Sequence, residues 1–333
     1  MRVAILYNPR PENDSPAHDD AFEEYDEPET IVAITQALAR MNVEPTPVVA
    51  DVEFPWRLKR GGFDFVFNIA EGAGRRCREA VPAAICEFLR LPVTGSDALT
   101  LATTLDKAVA RRIVSPEVPV APAVLVEGPA DAVTFGGLSY PVVVKPNDEG
   151  SSKGIGRESL CGNAVAAAER CGWLRERYAC PVLVEEFLPG MEVTAGVRGN
   201  GCSASLIGLM EIAPADDRGE PFLYSLETKR DYRHRVRYHV PPRLQPAQLD
   251  ELRSHALNAY RLLGCRDLAR IDFRMDAAGR PRFLECNPLP GLHPESSDIV
   301  ILSRTLCRDH VRVYDCLVQG VLRDAAQRYG ISV

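Results

Sequence analysis

The stretch PRFLECNPLPG, Pro281 to Gly291, ends an apolar run in a carboxylate, skips one residue to an amide, and breaks into a proline- and glycine-rich loop. Upstream, DLARIDFRMDAAGR supplies a partner, so the two segments read as strands joined by a turn at DAAG in which Gly279 takes the positive φ. Pairing Met275 with Arg280 across that turn sets Asp272 opposite Phe283 and Arg270 opposite Glu285. With a side-chain period of two, Arg270, Asp272, Glu285 and Asn287 share one face, and Ile271, Phe273, Leu284 and Cys286 share the other, which is core. Asp272 and Glu285 become diagonal neighbours of like charge, an arrangement that is unfavourable unless a cation lies between them. Asp272, Glu285 and Asn287 offer only oxygen, which suits Mg²⁺ or Mn²⁺. The competing reading is a solvated outer face with incidental charges.

A magnesium ion of this kind commonly works beside phosphate, and YPVVVKPNDEGSSKGIG has the groups to hold phosphate. An apolar strand delivers Lys145, and the segment Glu149 to Gly156 then carries three glycines and two serines, Ser151 and Ser152. Such a loop can turn backbone N–H groups and hydroxyls toward phosphate oxygens. It is not a Walker A loop, because no G-K-[ST] opens a helix at the required spacing. Further on, VLVEEFLPGMEV joins an apolar strand edge (Glu185, Glu186, Phe187, Leu188) to Glu192, a combination that can grip a nucleobase and bind ribose hydroxyls. Taken singly, the three glutamates read equally well as solvated charges.

The elements that must position these groups follow from the pattern of the chain. The first ninety-odd residues alternate strand and helix (VAILYN, PETIVAITQALARMN, FDFVFNIAEG, VPAAICEFLRLPVTG), which is βαβ logic and implies a parallel sheet. TLATTLDKAVARRIV reads as one helix, GNAVAAAERCGWLRERY and PAQLDELRSHALNAYRLLG as two more, and Asp216 to Pro242 as a long polar loop. Bulk properties narrow the function. A net charge of −7 argues against general affinity for nucleic acid or anionic membrane, so the basic run KRDYRHRVRYHVPPR reads better as a lid than as a nucleic-acid patch. The N-terminal apolar run is short enough to be a strand rather than a leader, and no run reaches membrane-spanning length, so the expected location is cytoplasmic. Ten cysteines are scattered without C-x-x-C spacing and read as reduced, small hydrophobes.

In this order and spacing, LDK (Leu105–Lys107), VVVKPNDEGSSKG, VEEFLPGMEV, ETK (Glu227–Lys229), ARID and ECNPLPG followed by Glu295-Ser296-Ser297 resemble the ATP-grasp superfamily, and most closely the D-alanine–D-alanine ligase family. The resemblance implies an α/β protein of three domains. Residues 1–95 would form an N-terminal Rossmann-like pre-ATP-grasp domain, 96–188 a central ATP-grasp subdomain, and 189–333 a C-terminal subdomain with the metal hairpin and lid loop. It also implies a reaction, in which a carboxylate is phosphorylated by ATP and the acylphosphate is attacked by an amine. Lys107 and Lys145 would hold ATP phosphates with the Glu149–Ser151–Ser152 loop, the Val184–Leu188 strand edge would hold adenine, and Glu192 the ribose. Asp272, Glu285 and Asn287 would hold two Mg²⁺, with Mn²⁺ an alternative; Lys229 would reach the γ-phosphate, Arg270 the oxyanion, and Ser151 the reacting centre. Gly291, Ser296 and Ser297 would bind the second substrate's carboxylate. Partners would be small amino-acid or carboxylate and amine substrates, with room for a homodimer.

The chain departs from the family in the first substrate's pocket. A GGxSxE-like loop is missing from YNPRPENDSPAHDD, where Glu12 is a weak substitute, and an HGxxGEDG-type stretch is replaced by AEGAGRRCREAVP, which sets Glu71 near the usual histidine. Arg230 follows the loop lysine where one large branch has tyrosine. By the resemblance, Arg75, Arg76, Arg78 and Arg230 fall in segments that border that pocket and point to a substrate that is larger, acidic or not an α-amino acid; the competing reading has them facing solvent or paired with Glu71 and Glu79. Three readings result: a related ligase with an altered substrate, a genuine D-alanine–D-alanine ligase, and a nucleotide-binding regulator without catalysis. Retention of Arg270, Asp272, Glu285, Asn287 and Lys229 weighs against the third.

Overall fold

The structure, a computed structural model, describes residues 1–11, 20–74, 76–129, 135–216, 219, 221–304 and 312–333. Three sheets organise it. The first is parallel, in the order β2-β1-β3, from β1 (Arg2–Tyr7), β2 (Glu44–Val49) and β3 (Phe65–Asn68), with α1 (Pro28–Ala39), α2 (Phe54–Gly61) and α3 (Ala80–Phe88) as its helices. Val3, Ala4, Ile5 and Leu6 are all fully buried, which is why the central strand reads as an unbroken apolar run rather than an alternating one. Pro45 and Pro47 lie in β2, at the sheet edge, where a missing N–H costs no ladder bond.

The next segment differs from expectation. TLATTLDKAVARRIV forms two helices, α4 (Ala98–Leu105) and α5 (Lys107–Val114), because Asp106 breaks the run and caps the second: its carboxylate accepts from the Val109 N–H at 3.0 Å. The Lys107 N–H donates to the Asn147 carbonyl at 3.0 Å, so the break seats Lys107 against the end of the neighbouring sheet. That sheet is antiparallel, in the order β4-β7-β5-β6, from β4 (Ala123–Val126), β5 (Val142–Pro146), β6 (Leu160–Cys161) and β7 (Val182–Glu186), with α6 (Ala164–Tyr178) packed on it through Ala167, Cys171 and Leu174.

The third sheet, antiparallel in the order β10-β9-β8-β11-β12, contains β8 (Glu192–Gly199), β9 (Ser205–Pro214), β10 (Val236–His239), β11 (Asp267–Met275) and β12 (Pro281–Asn287). The span read as a polar loop holds α7 (Leu226–Arg230), α8 (Tyr232–Arg235) and the edge strand β10. Its polar composition fits short helices that bury one side only; Ser225 caps α7 by accepting from the Thr228 N–H. One face of the sheet packs on α9 (Pro246–Leu262) through Leu252, Ala256 and Tyr260. The other meets α10 (Asp298–Ser303), α11 (Val313–Arg328) and the first sheet in a shared core that includes Ile34, Phe65, Met210, Ile299 and Val318.

The β11–β12 hairpin corrects the predicted register. Asp272 pairs with Glu285 and Arg270 with Asn287, whereas Phe273 pairs with Phe283, because the ladder shifts between Asp272 and Phe273. The bulge falls at Leu284, which leaves the core face and lines the neighbouring cleft, while Phe283 packs edge-on against Phe273 with ring centroids 6.2 Å apart. The polar face keeps its predicted membership. Among the described residues no disulfide forms; the Cys265 and Cys286 thiols meet at 3.6 Å in the core.

Candidate active site

Two cavities meet over the polar face of β11 and β12. The first, a cleft of about 730 Å³, lies between the second and third sheets. Val143, Ile155, Phe187, Leu188, Ile212, Leu223 and Leu284 supply its apolar walls, and Lys145, Glu185, Glu192, Lys229, Arg270, Asp272 and Glu285 its charges. Ser152 and Glu186 also line it. The second, a chamber of about 1530 Å³, opens toward the first sheet and carries Glu71, Ser151, Arg230, Asn287, Gly291, Ser296 and Ser297. Tyr224, Lys229, Arg270 and Asp298 line both, and so form the wall between them.

Alternation along β11 puts Arg270, Asp272 and Arg274 on one face. Arg270 reaches Asp272 at 3.0 Å, Asp298 at 3.6 Å and Glu285 at 3.9 Å. Asp272 also accepts from the Thr194 hydroxyl at 2.7 Å on the adjoining β8. Burial raises the Asp272 carboxyl above the ordinary range, with Glu285 adding to the shift and Arg270 only partly offsetting it. Burial would raise Glu285 too, but Lys107, Lys145, Arg270 and Lys229 outweigh it and hold this carboxyl at about 2. Lys229 is pushed down by burial and by Arg270 beside it. The directly paired Asp272 and Glu285, with Asn287 one register step on, form an all-oxygen donor set in which like charges are crowded, and that set fits a hard divalent cation.

The glycine-rich loop is set by backbone conformation. Ser151 and Ser152 take positive φ of 49° and 58°, which turns successive N–H groups to one side. Gly154 has φ 69°, and a Cβ there would lie 2.9 Å from Leu174, Pro146 and Tyr178, so the loop's close approach to α6 needs glycine. Lys145 pairs with Glu185 at 2.5 Å, and Arg111 of α5 takes the other carboxylate oxygen at 2.8 Å; these cations keep Glu185 below the usual range despite its burial. Glu192 meets Arg274 at 3.1 Å, yet burial prevails and lifts it to about 7.

Of the residues singled out in the sequence, Lys107 and Glu149 lie behind the cleft rather than on its wall. Lys107 Nζ donates to the Glu149 carbonyl at 2.5 Å and stands 3.5 Å from Glu285, and the Glu149 carboxylate pairs with Lys153 at 2.5 Å. Three of the four arginines expected to meet an acidic substrate are engaged by the chain's own carboxylates: Arg76 by Asp106 at 2.7 Å, Arg78 by Glu24 at 2.9 Å, and Arg230 by Glu23 at 2.6 Å. Arg75 and Glu12 lie outside the described residues. The sequence reading passed over Arg274, Thr194, Asp298, Tyr224 and Arg111. Arg274 was accessible from strand alternation; it stacks on Phe187 at 4.8 Å and donates to the Leu188 carbonyl at 2.6 Å. The others reach the site from separate elements and carry no local signature.

The family model for the D-ala D-ala ligase C-terminus matches residues 129–305, more than half of the chain. The chain belongs to the D-alanine–D-alanine ligase family. It is 32% identical over 285 residues to a D-alanine–D-alanine ligase of Synechococcus sp. (strain JA-3-3Ab), covering 83% of this chain and 81% of that one. It is 32% identical over 272 residues to one of Alcanivorax borkumensis, covering 80% and 79%. Its fold matches the crystal structure of a D-alanine–D-alanine ligase from Bacillus anthracis complexed with ATP, with TM-score 0.71 and 18% identity over 98% of this chain and 99% of that one. As a member of this ATP-grasp family, the chain is a C–N bond-forming, ATP-dependent ligase. Among the described residues no helix is long and apolar enough to cross a membrane.

Proposed function

We propose that this ligase joins two molecules of D-alanine, with ATP in the cleft and the amino acids in the chamber. The carrying observation is the shared wall: Lys229 and Arg270 line both cavities, so a phosphoryl group leaving the cleft and a carboxylate waiting in the chamber would meet the same two cations. The nucleobase would sit among Val143, Phe187, Leu188 and Leu223, with the ribose hydroxyls donating to Glu192. Lys145 and the N–H groups of the Ser151–Ser152 turn would hold phosphate oxygens. Asp272, Glu285 and Asn287 would hold one or two Mg²⁺ ions, which neutralise phosphate charge when bound.

Lys229 and Arg270 would take up the charge that grows on the carboxylate and its acylphosphate, and Arg270 the oxyanion formed when the amine attacks. The second amino acid's carboxylate would rest against Gly291, Ser296 and Ser297, aiming its amine at the acyl carbon. The α7–α8 segment carries Lys229 and Arg230 over the chamber and would exclude the water that destroys an acylphosphate. An altered first substrate is the second reading, favoured by the missing GGxSxE-like loop; the paired arginines withdraw the charge argument for an acidic one. The deciding experiment is ADP release with ATP, Mg²⁺ and D-alanine as sole amino acid, with the dipeptide identified by mass. No ADP above the no-amino-acid control, beside release with another amino acid, would replace the first reading by the second.

A further inference from the structure

The chamber is rich in acid, and almost all of that acid is neutralised by the chain itself. Glu23 pairs with Arg230 at 2.6 Å and Arg10 at 3.5 Å; Glu27 with Arg10 at 3.5 Å and His293 at 3.6 Å; Asp298 with Arg270 at 3.6 Å. Glu24 is saturated. Its Oε1 accepts from Arg78 at 2.9 Å and the Gly150 N–H at 2.9 Å, and its Oε2 from Arg78 at 3.0 Å and Lys153 at 2.8 Å. Two chamber carboxylates remain without a cation in ion-pair range among the described residues, Asp26 and Glu71. Asp26 Oδ2 is buried with no hydrogen-bond partner among the described residues.

We propose that Asp26 and Glu71 receive the ammonium group of the first amino acid. Glu24, close to both, has no oxygen to spare: it clamps the glycine-rich loop to Arg78. A buried acceptor without a partner is costly, and a chain keeps one where a ligand supplies the missing donor. The partner must be a cation, because both groups are carboxyls without an ion pair among the described residues, and the neighbouring acids, Glu24 and Glu79, add negative charge around Glu71. It must belong to a molecule that also reaches the wall, since Lys229 and Arg270 line the same chamber. An α-amino acid meets both conditions, its carboxylate toward Lys229 and Arg270 and its ammonium toward Asp26 and Glu71. The ionisation of the pair agrees. Burial raises the Asp26 carboxyl to about 8 with only the Asn8 N–H opposing, and burial, with Glu79 next in weight, raises Glu71 well above the carboxylate range. The incoming ammonium supplies the counter-charge that neither has.

This inference rests on the amino-acid ligase reading, and its test separates the two. Wild type, Asp26→Asn and Glu71→Gln are compared in ADP release with D-alanine and ATP, and in thermal unfolding without ligands. Each variant is expected to need on the order of 10–100 times more D-alanine for half-saturation, with the ATP requirement unchanged. Each is also expected to melt higher than wild type by about 2–4 °C, because a neutral isostere replaces an acid that has no cation. Unchanged D-alanine saturation in both variants overturns the assignment. So does a lowered melting temperature, the signature of a structural acid that had a partner after all. Failure of wild type to use D-alanine defeats the substrate reading alone; the same two variants are then titrated with whichever amino acid supports ADP release, and the melting result stands on its own.

Discussion

Lys145 Nζ lies 2.5 Å from Glu185 Oε1, while Arg111 holds Glu185 Oε2 at 2.8 Å. The lysine expected to grip phosphate is therefore tied to a buried carboxylate that a second cation also holds. That carboxylate orients the ammonium at the cleft wall and is itself tolerable only because two cations share it. Lys145→Ala is expected to raise the KM for ATP at least tenfold, through loss of a charge-assisted phosphate contact. It should also lower stability by about 2 kcal/mol, since Glu185 keeps Arg111 alone. Steady-state kinetics and urea unfolding read the two effects; an unchanged KM for ATP would remove Lys145 from the phosphate site.

Arg270 stands in the wall between the cavities, and its geometry suits charge that develops during reaction more than charge present at rest. Asp272, Asp298 and Glu285 surround it in the ground state. Arg270→Ala is expected to lower kcat by about 10²–10³ with little change in the KM for ATP. Arg270→Lys should recover part of that loss by restoring charge without the planar fork. A variant that loses ATP binding instead, at full kcat, would contradict the role.

How far the sequence revealed this site depends on what kind of information each part needs. The polar face of β11 and β12 was legible because strand alternation is local: Arg270, Asp272, Glu285 and Asn287 follow from a period of two. The register was not, since a one-residue bulge at Leu284 leaves no mark in the pattern and moves Asp272 from Phe283 to Glu285. The parallel first sheet was legible from its uninterrupted apolar runs, whereas the break at Asp106 was hidden in a sequence helical on both sides. Asp298, Thr194 and Glu24 matter through contacts across 28, 78 and 129 residues of chain, to Arg270, Asp272 and Lys153, which no window of sequence spans.

The Asp272–Glu285 pair makes a test of the metal site possible without turnover. The two carboxylates face each other across adjoining strands, and both burial and Glu285 raise the Asp272 carboxyl. Removing one of them relieves repulsion in the free protein but destroys the donor set. Asp272→Asn is expected to melt no lower than wild type in a chelator, and to lose the melting increase that millimolar Mg²⁺ gives wild type. Activity should fall below about one-hundredth. A Mg²⁺-dependent shift retained by the variant would remove Asp272 from the ligands.

Glu192 carries a pH dependence whose sign can be worked out. Its carboxyl is buried beside Arg274, and burial outweighs that ion pair to lift it from 4.5 to about 7. Between those values the unfolded chain has released the proton and the folded chain still holds it. Fewer protons are then bound in the unfolded state, so unfolding free energy falls as pH rises. The contribution is fully present below about pH 4.5, is lost progressively through the window, and is gone above about pH 7. The whole loss is on the order of 3 kcal/mol. Glu192→Gln, which cannot ionise, should lack this slope and be relatively more stable than wild type at pH 8 than at pH 5. Urea unfolding of both proteins at the two pH values measures the difference. Parallel profiles would mean that Arg274 keeps Glu192 ionised throughout, and the carboxylate would then be ready for ribose hydroxyls at every working pH. If the profiles diverge as expected, the KM for ATP should fall as pH rises toward 8, because the nucleotide's hydroxyl donors favour the charged form.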